Sequence, residues 1–181
     1  MNDGLIPKRY AKALLKFAEE NKADKRVYEL METLSKSFES NPDLAKVVAN
    51  PFIDAEVKTS LLLTAAGADK KDNTYADFVK LLLKNNRLDM MRDIALAYLT
   101  LYRKANNIYL VDITSAVKME DDELKRLEAI IKKHVAGANV EYNLAVDPDL
   151  IGGFVVNIDS ERLDASVKNE LKQLRLKLLS K

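Results

Sequence analysis

Tyr98-Leu99-Thr100-Leu101-Tyr102-Arg103-Lys104-Ala105-Asn106-Asn107-Ile108-Tyr109-Leu110-Val111-Asp112-Ile113-Thr114-Ser115 divides the chain into two kinds of sequence. Ahead of Asn106 the apolar residues fall on helical spacing, with Met91, Ile94, Ala95, Tyr98, Leu101, Tyr102 and Ala105 on one stripe. Beyond Asn107 the run is rich in β-branched residues and holds no helix-spaced stripe up to Val117. The Asn106-Asn107 pair is turn chemistry and ends the helix. The change of period predicts a helical domain over 1–105 and a small α/β domain over 106–181.

Backward from the divide, five more helices are expected. Tyr10, Ala13, Leu14 and Phe17 set the first, over Ile6 to Glu20, with Pro7 suited to its first turn. Val27, Leu30, Met31, Leu34 and Phe38 set the second, with Asp24 as a candidate N-cap. Leu44, Val47 and Val48 set a short third helix that must stop before Asn50-Pro51, because a residue preceding proline disfavours the helical region. Asp54 is placed to cap a fourth, running to Gly67, and Tyr75 to Leu83 carries a fifth that ends near Asn85-Asn86-Arg87.

Forward from the divide, Val140, Tyr142, Leu144 and Val146 alternate with polar or small neighbours, and Phe154, Val156 and Ile158 alternate again. Leu124, Leu127, Ile131 and Val135 mark a helix closed by Gly137, and Val167, Leu171, Leu174 and Leu178 mark a last one. The expected fold is mainly α: a six-helix bundle followed by three strands and two helices.

Composition narrows the function classes. Cysteine is absent from the 181 residues, which removes disulfides, thiolate nucleophiles and Cys-based zinc sites. The net charge is +1, divided as +3 (18 basic, 15 acidic) through Ala105 and −2 (11 basic, 13 acidic) after it. Nucleic-acid binding usually needs a strongly basic domain, so no nucleic-acid partner is expected, and a helical RNA-binding or transcription-associated factor is the alternative to be argued for. Apolar runs such as Leu61 to Leu63 and Leu81 to Leu83 are far shorter than the ~18 residues a bilayer span requires, so no direct membrane insertion is expected. Met1 to Pro7 lacks the basic and apolar regions of a secretory signal, which leads us to expect a protein that stays in the cytosol.

Reactive constellations are scarce. His134, the single histidine, has neither cysteine nor a second histidine to work with and reads as a half-buried or capping residue. Glu120-Asp121-Asp122-Glu123 lacks the alternating ligands and central glycine of a calcium loop and suits a helix start. Gly152-Gly153 leads into a strand where a phosphate cradle would lead into a helix, so close backbone approach explains it better. Cations from Lys168 to Lys181 suit a solvated helix face. No catalytic residue, metal site or cofactor is expected. What exceeds structural need is apolar width: Ala13, Phe17, Tyr10, Leu14, Ala18, Ala11 and Leu15, in order around the axis, sweep about 200° of the first helix, and the apolar arc from Leu81 round to Ala76 is similar on the fifth, where ~100° suffices for a surface helix. Either both helices are central in the bundle or their outer margins form a groove for a partner helix.

Three blocks carry a family resemblance. Arg9-Tyr10-Ala11-Lys12-Ala13-Leu14, then Phe78 to Leu88 (FVKLLLKNNRL), then Asp147 to Phe154 (DPDLIGGF) followed by Leu163-Asp164-Ala165-Ser166-Val167, resemble the F-type ATP synthase delta subunit, whose mitochondrial counterpart is the oligomycin sensitivity-conferring protein. The resemblance implies a six-helix bundle followed by a small mixed α/β domain, and a non-catalytic peripheral-stalk subunit at the cytoplasmic side of the cell membrane. It implies that the bundle (1–105) binds amino-terminal segments of the α subunits of the catalytic head, and that the later domain (106–181) binds the carboxy-terminal region of the b stalk. In this family the α-segment groove lies between helices one and five, which implies Tyr10, Ala13, Leu14, Phe17, Phe78, Leu81, Leu82 and Asn85 as partner-binding residues. Arg87, Gly152, Gly153, Asp164 and Ser166 match structural motif positions. Two departures stand out, Asn86 before the Arg-Leu pair and Ala165 before Ser166, each where the family commonly has glycine.

Overall fold

A computed structural model describes residues 4–69, 71–135, 138–158 and 161–179. The chain is mainly helical with a small four-stranded mixed sheet, and it divides into two compact units, Met1–Tyr102 and Arg103–Lys181. The division falls within the last turn of the sixth helix.

The first unit is built from α1 (Leu5–Glu20), α2 (Asp24–Ser40), α3 (Pro42–Ala49), α4 (Ala55–Ala66), α5 (Asn73–Lys84) and most of α6 (Met91–Ala105). Its core holds Leu14, Leu30, Met31, Leu34, Leu62, Leu82, Met91 and Ile94 with almost no exposure. Two tyrosines are buried beside them, and each finds an acceptor for its hydroxyl: Tyr75 donates to the Leu62 carbonyl at 3.1 Å and Tyr98 to the Asp24 carbonyl at 3.2 Å. Burial pushes both phenols well above their ordinary titration range. Tyr28 stacks on Tyr102 with ring centroids 4.3 Å apart, joining α2 to the end of α6.

Helix ends follow local chemistry. Gly67 ends α4 in the left-handed region, with its own N–H on Thr64 and that of Ala68 on Leu63. Asn86 closes α5 the same way at φ +52, with Asn86 N–H on Leu83 and Arg87 N–H on Leu82. Asparagine tolerates this conformation better than most residues, so it can stand where glycine is common. Asp24 is not the N-cap expected of it: Ala23 takes that place, and Asp24 sits inside the first turn, where a carboxylate still suits the helix dipole.

The loop before α5 is fixed by an ion pair. Arg26 Nε and Nη2 donate to the two carboxylate oxygens of Asp72 at 3.0 Å each, and Asp72 also accepts the Asp69 N–H at 2.8 Å. The Arg26 guanidinium, foremost, holds the Asp72 carboxyl below the usual carboxylate range against the opposing effect of burial. A folded-state pKa below the unfolded value means that the pair stabilises the fold above about pH 4 and that this contribution is lost as pH falls through the folded pKa. Because Arg26 is 43% exposed, the effect stays within ~1 kcal/mol. Thermal melts from pH 7 down to pH 3 will show a smaller acid-side loss of stability for Asp72→Asn than for wild type.

The second unit carries β1 (Ile108–Ser115), α7 (Asp121–His134), β2 (Asn139–Val146), β3 (Gly153–Ile158), β4 (Glu161–Ser166) and α8 (Val167–Leu179). The sheet order is β2-β1-β3-β4, with β1 parallel to β2 and the remaining pairs antiparallel. Helix α7 makes the parallel crossover, and Leu127 and Ile131 pack on Val111, Ile113 and Val156. Its acidic start is a capping box formed by Glu120 and Glu123. Gly137, expected to close it, lies outside the described residues.

Two expectations need correction. The sheet has four strands where three are predicted, because β4 carries one large apolar residue, Leu163, and that one is exposed, so alternation leaves no trace. His134 is neither half-buried nor a cap: it is exposed in the last turn of α7, with Nε2 3.1 Å from Glu161 Oε2 on β4.

Candidate partner-binding groove

Helix α1 presents two apolar stripes. Pro7, Ala11, Leu14, Leu15 and Ala18 are buried against the core. Ile6, Tyr10, Ala13 and Phe17, spaced by four, three and four, stay partly or fully open to solvent. The arc is wide because it serves two surfaces, and only one of them is the core. Helix α5 is divided likewise: Tyr75, Phe78, Val79 and Leu82 point inward while Leu81 remains 46% exposed.

Where the two outer margins meet, Ile6, Arg9, Tyr10, Ala13, Leu81 and Arg87 line an apolar depression of about 410 Å³. The α5 cap delivers Arg87 to its rim, since the left-handed turn at Asn86 reverses the chain there. Such a surface offers an apolar stripe to another helix and two guanidinium groups to acidic residues beside that stripe.

The eight partner-binding positions implied by the resemblance separate into three sets. Tyr10, Ala13 and Leu81 line the depression. Phe17, 40% exposed, and Asn85, also exposed, lie outside its lining. Leu14, Phe78 and Leu82 are core residues, exposed by 1%, 4% and 0%, and offer no side-chain surface to a partner. Ile6 and Arg9 also line it, although neither stands among the partner-binding positions read from the sequence; the 4-3-4 spacing through Tyr10 and Ala13 was the available signal for Ile6.

The motif residues of the second unit form a structural junction. Gly153 has φ +73, and a Cβ there would be driven into the Ala165 carbonyl oxygen; one on Gly152 would meet Val167 Cγ2 at 2.9 Å. The Ala116 N–H donates to the Gly153 carbonyl and the Val167 N–H to that of Gly152, so this pair ties the ends of β1, β3 and β4 together. Ser166 donates to Asp164 Oδ1 at 2.6 Å and accepts the Asn169 N–H at 3.2 Å, acting as the N-cap of α8. The Ser166 hydroxyl, then its N–H and the Arg162 side chain, hold the Asp164 carboxyl below its ordinary range.

Comparison with known proteins gives a consistent result. The family described as ATP synthase delta (OSCP) subunit matches residues 6–178. The ATP synthase subunit delta of Phocaeicola vulgatus is 36% identical over 178 residues, covering 98% of this chain and 96% of that protein. That of Lactobacillus acidophilus is 35% identical, covering 96% and 94%. In fold, the chain is similar to one in the Toxoplasma gondii mitochondrial ATP synthase hexamer, with a TM-score of 0.73 at 20% identity, covering 96% and 97%. A family match across nearly the whole chain, with relatives above 30% identity at nearly full length, establishes that this chain belongs to the ATP synthase delta (OSCP) subunit family.

Proposed function

We propose that this chain is the joint of an ATP synthase stator, with its amino-terminal six-helix bundle holding the catalytic head and its carboxy-terminal domain holding the stalk. As a member of the delta subunit family it is a non-catalytic component of the peripheral stalk. The first domain, 1–105, takes an amphipathic amino-terminal segment of an α subunit between α1 and α5; the second, 106–181, takes the carboxy-terminal region of the b subunit. Among the described residues no helix is long and apolar enough to cross a membrane, so attachment at the cytoplasmic face of the cell membrane comes through the assembled complex.

The observation that carries the reading is the outer stripe of α1 opposite Leu81, an apolar surface the fold leaves open on a family member. The mechanism is mechanical. A rotary head does work only if it is kept from turning with its rotor, so one body must grip head and stalk together, and joining two sites raises the effective concentration for the second contact. A helical RNA-binding or transcription-associated factor has no support from the family match or the relatives.

The reading is tested by gel filtration of the full chain with purified catalytic head, with the soluble part of b, and with both. A ternary complex that forms only when the chain is present is expected. Co-elution with neither component would remove the proposal.

A further inference from the structure

The edge of a sheet presents unpaired N–H and C=O groups, and folds usually guard it with charge, proline or a bulge. Among the described residues this sheet has two edges and guards one of them. Strand β4 carries Glu161, Arg162 and Asp164 along its six residues. Strand β2, at the other edge, pairs with β1 in unbroken register over all eight residues. It holds no proline, lysine or arginine, and Glu141 is its single charge. Its second half, from Asn143 to Val146, is exposed throughout.

One hydrogen bond fixes which groups of β2 are free. The Asp147 N–H donates to the Ser115 carbonyl at 2.8 Å. The N–H and C=O of a strand residue point to the same side, and the side alternates along the chain, so Asn143 and Ala145 address β1 while Tyr142, Leu144 and Val146 turn outward. These three also send their side chains to the face of α7, in register with Val111, Ile113 and Ser115. Leu144 is nevertheless 55% exposed and Val146 56%. The outer edge of β2 therefore offers donors, acceptors and an apolar row together.

Those features select the occupant. Another strand satisfies alternate backbone groups along a line, whereas a helix has already spent its own. The incoming strand must carry an apolar residue at every second position, beside Leu144 and Val146. Between them it needs polar or cationic residues, on the face where Glu141 and Asn143 stand and where Asp112 is in register with Asn143. A second copy of β2 would meet the backbone requirement, but eight residues a side fall well short of the roughly 20–30 that a stable interface uses. So short a contact holds a segment whose polypeptide is already bound nearby, where effective concentration replaces area.

We infer that the outer edge of β2 accepts a fifth strand, an extended segment of the stalk polypeptide in which apolar residues alternate with polar or cationic ones. The inference rests on the reading that the second unit holds the stalk, and it adds strand addition at the sheet edge as a mode of contact.

The test is residue-resolved amide hydrogen exchange of the full chain, alone and with the purified soluble part of the b subunit of the same synthase. In the complex the Tyr142, Leu144 and Val146 amides will exchange at least about tenfold more slowly than in the free chain. Leu144→Pro removes one outward donor and none from the β1 ladder, and Leu144→Lys sets a guarding cation on the exposed apolar row. Both variants will keep the protection of β1, and calorimetry will show each binding b at least about tenfold more weakly than wild type does. A complex in which those three amides exchange as in the free chain, or folded variants that both bind b as wild type does, would remove the fifth strand while the stalk reading stands. If wild type does not bind b, both are wrong. Protection of the same amides that grows with chain concentration in the absence of b would assign the edge to a second copy and overturn the inference.

Discussion

Gly153→Val will disrupt the second unit and leave the first intact. Two costs coincide at this position. A β-branched residue at φ +73 is strained by ~1–3 kcal/mol before any neighbour is considered. The new Cβ would also collide with the Ala165 carbonyl oxygen, which is backbone of the adjacent strand and cannot swing aside as a side chain can. Relief requires β3 to part from β4 at the Gly153–Ser166 register, which also loosens the cap of α8. A loss above ~3 kcal/mol is a large share of the roughly 4–12 kcal/mol available to a unit of this size. Gly152→Ala serves as the mild comparison, because its Cβ meets the Val167 side chain. Hydrogen exchange read separately over the two units measures the effect: β1, β3 and β4 should lose protection while α2, α5 and α6 keep theirs. Retained protection across the sheet in a folded Gly153→Val chain would show that this junction tolerates a side chain.

What the sequence disclosed depended on whether burial was one-sided. The stripes of α2 and α6 are regular because a single face of each meets the core; in β3 the alternation of Phe154, Val156 and Ile158 marks the face under α7, although Val155 is buried on the other face with Ala116 and Leu150. Strand β4, at the edge of the sheet, buries no large apolar residue, and its pairing with β3 rests on backbone hydrogen bonds that any sequence can make. His134 shows a related limit: its place near Ile131 suggests the core, but its side chain is exposed beside Glu161 on the edge strand β4, while Ile131 and Val135 on either side of it in sequence pack on the sheet.

The candidate groove was legible as an excess and not as a surface. Spacing gives the angular width of an apolar arc, and α1 and α5 were both too wide for one purpose. It does not say which part of the arc turns inward, so Leu14, Phe78 and Leu82 stood beside Tyr10, Ala13 and Leu81 without distinction. That the two rim cations belong together was hidden for a different reason: Arg9 and Arg87 are 78 positions apart and meet only because the Asn86 turn brings the end of α5 beside α1.

That distinction fixes how the groove must be probed. Leu14→Asp would place a carboxylate in the core and unfold the first unit, so lost binding would carry no information. Leu81→Asp is the discriminating change, because Leu81 is 46% exposed and already lines the depression. An aliphatic anchor seated on Leu81, Tyr10 and Ala13 contributes ~1.5–3 kcal/mol through buried apolar area. A carboxylate there removes this contact and must itself be desolvated, so the affinity of an α-subunit amino-terminal peptide should fall by more than ~2 kcal/mol, about 30-fold. Thermal unfolding should shift little. Arg9→Ala with Arg87→Ala should act differently, lowering the association rate and its salt dependence more than the affinity, as rim charges do. Calorimetry and stopped-flow binding at two ionic strengths separate the two effects. Full binding by a folded Leu81→Asp chain, or wild-type binding that salt abolishes, would mean that the peptide is held by charge elsewhere on the first unit and that the apolar margin between α1 and α5 is not its seat.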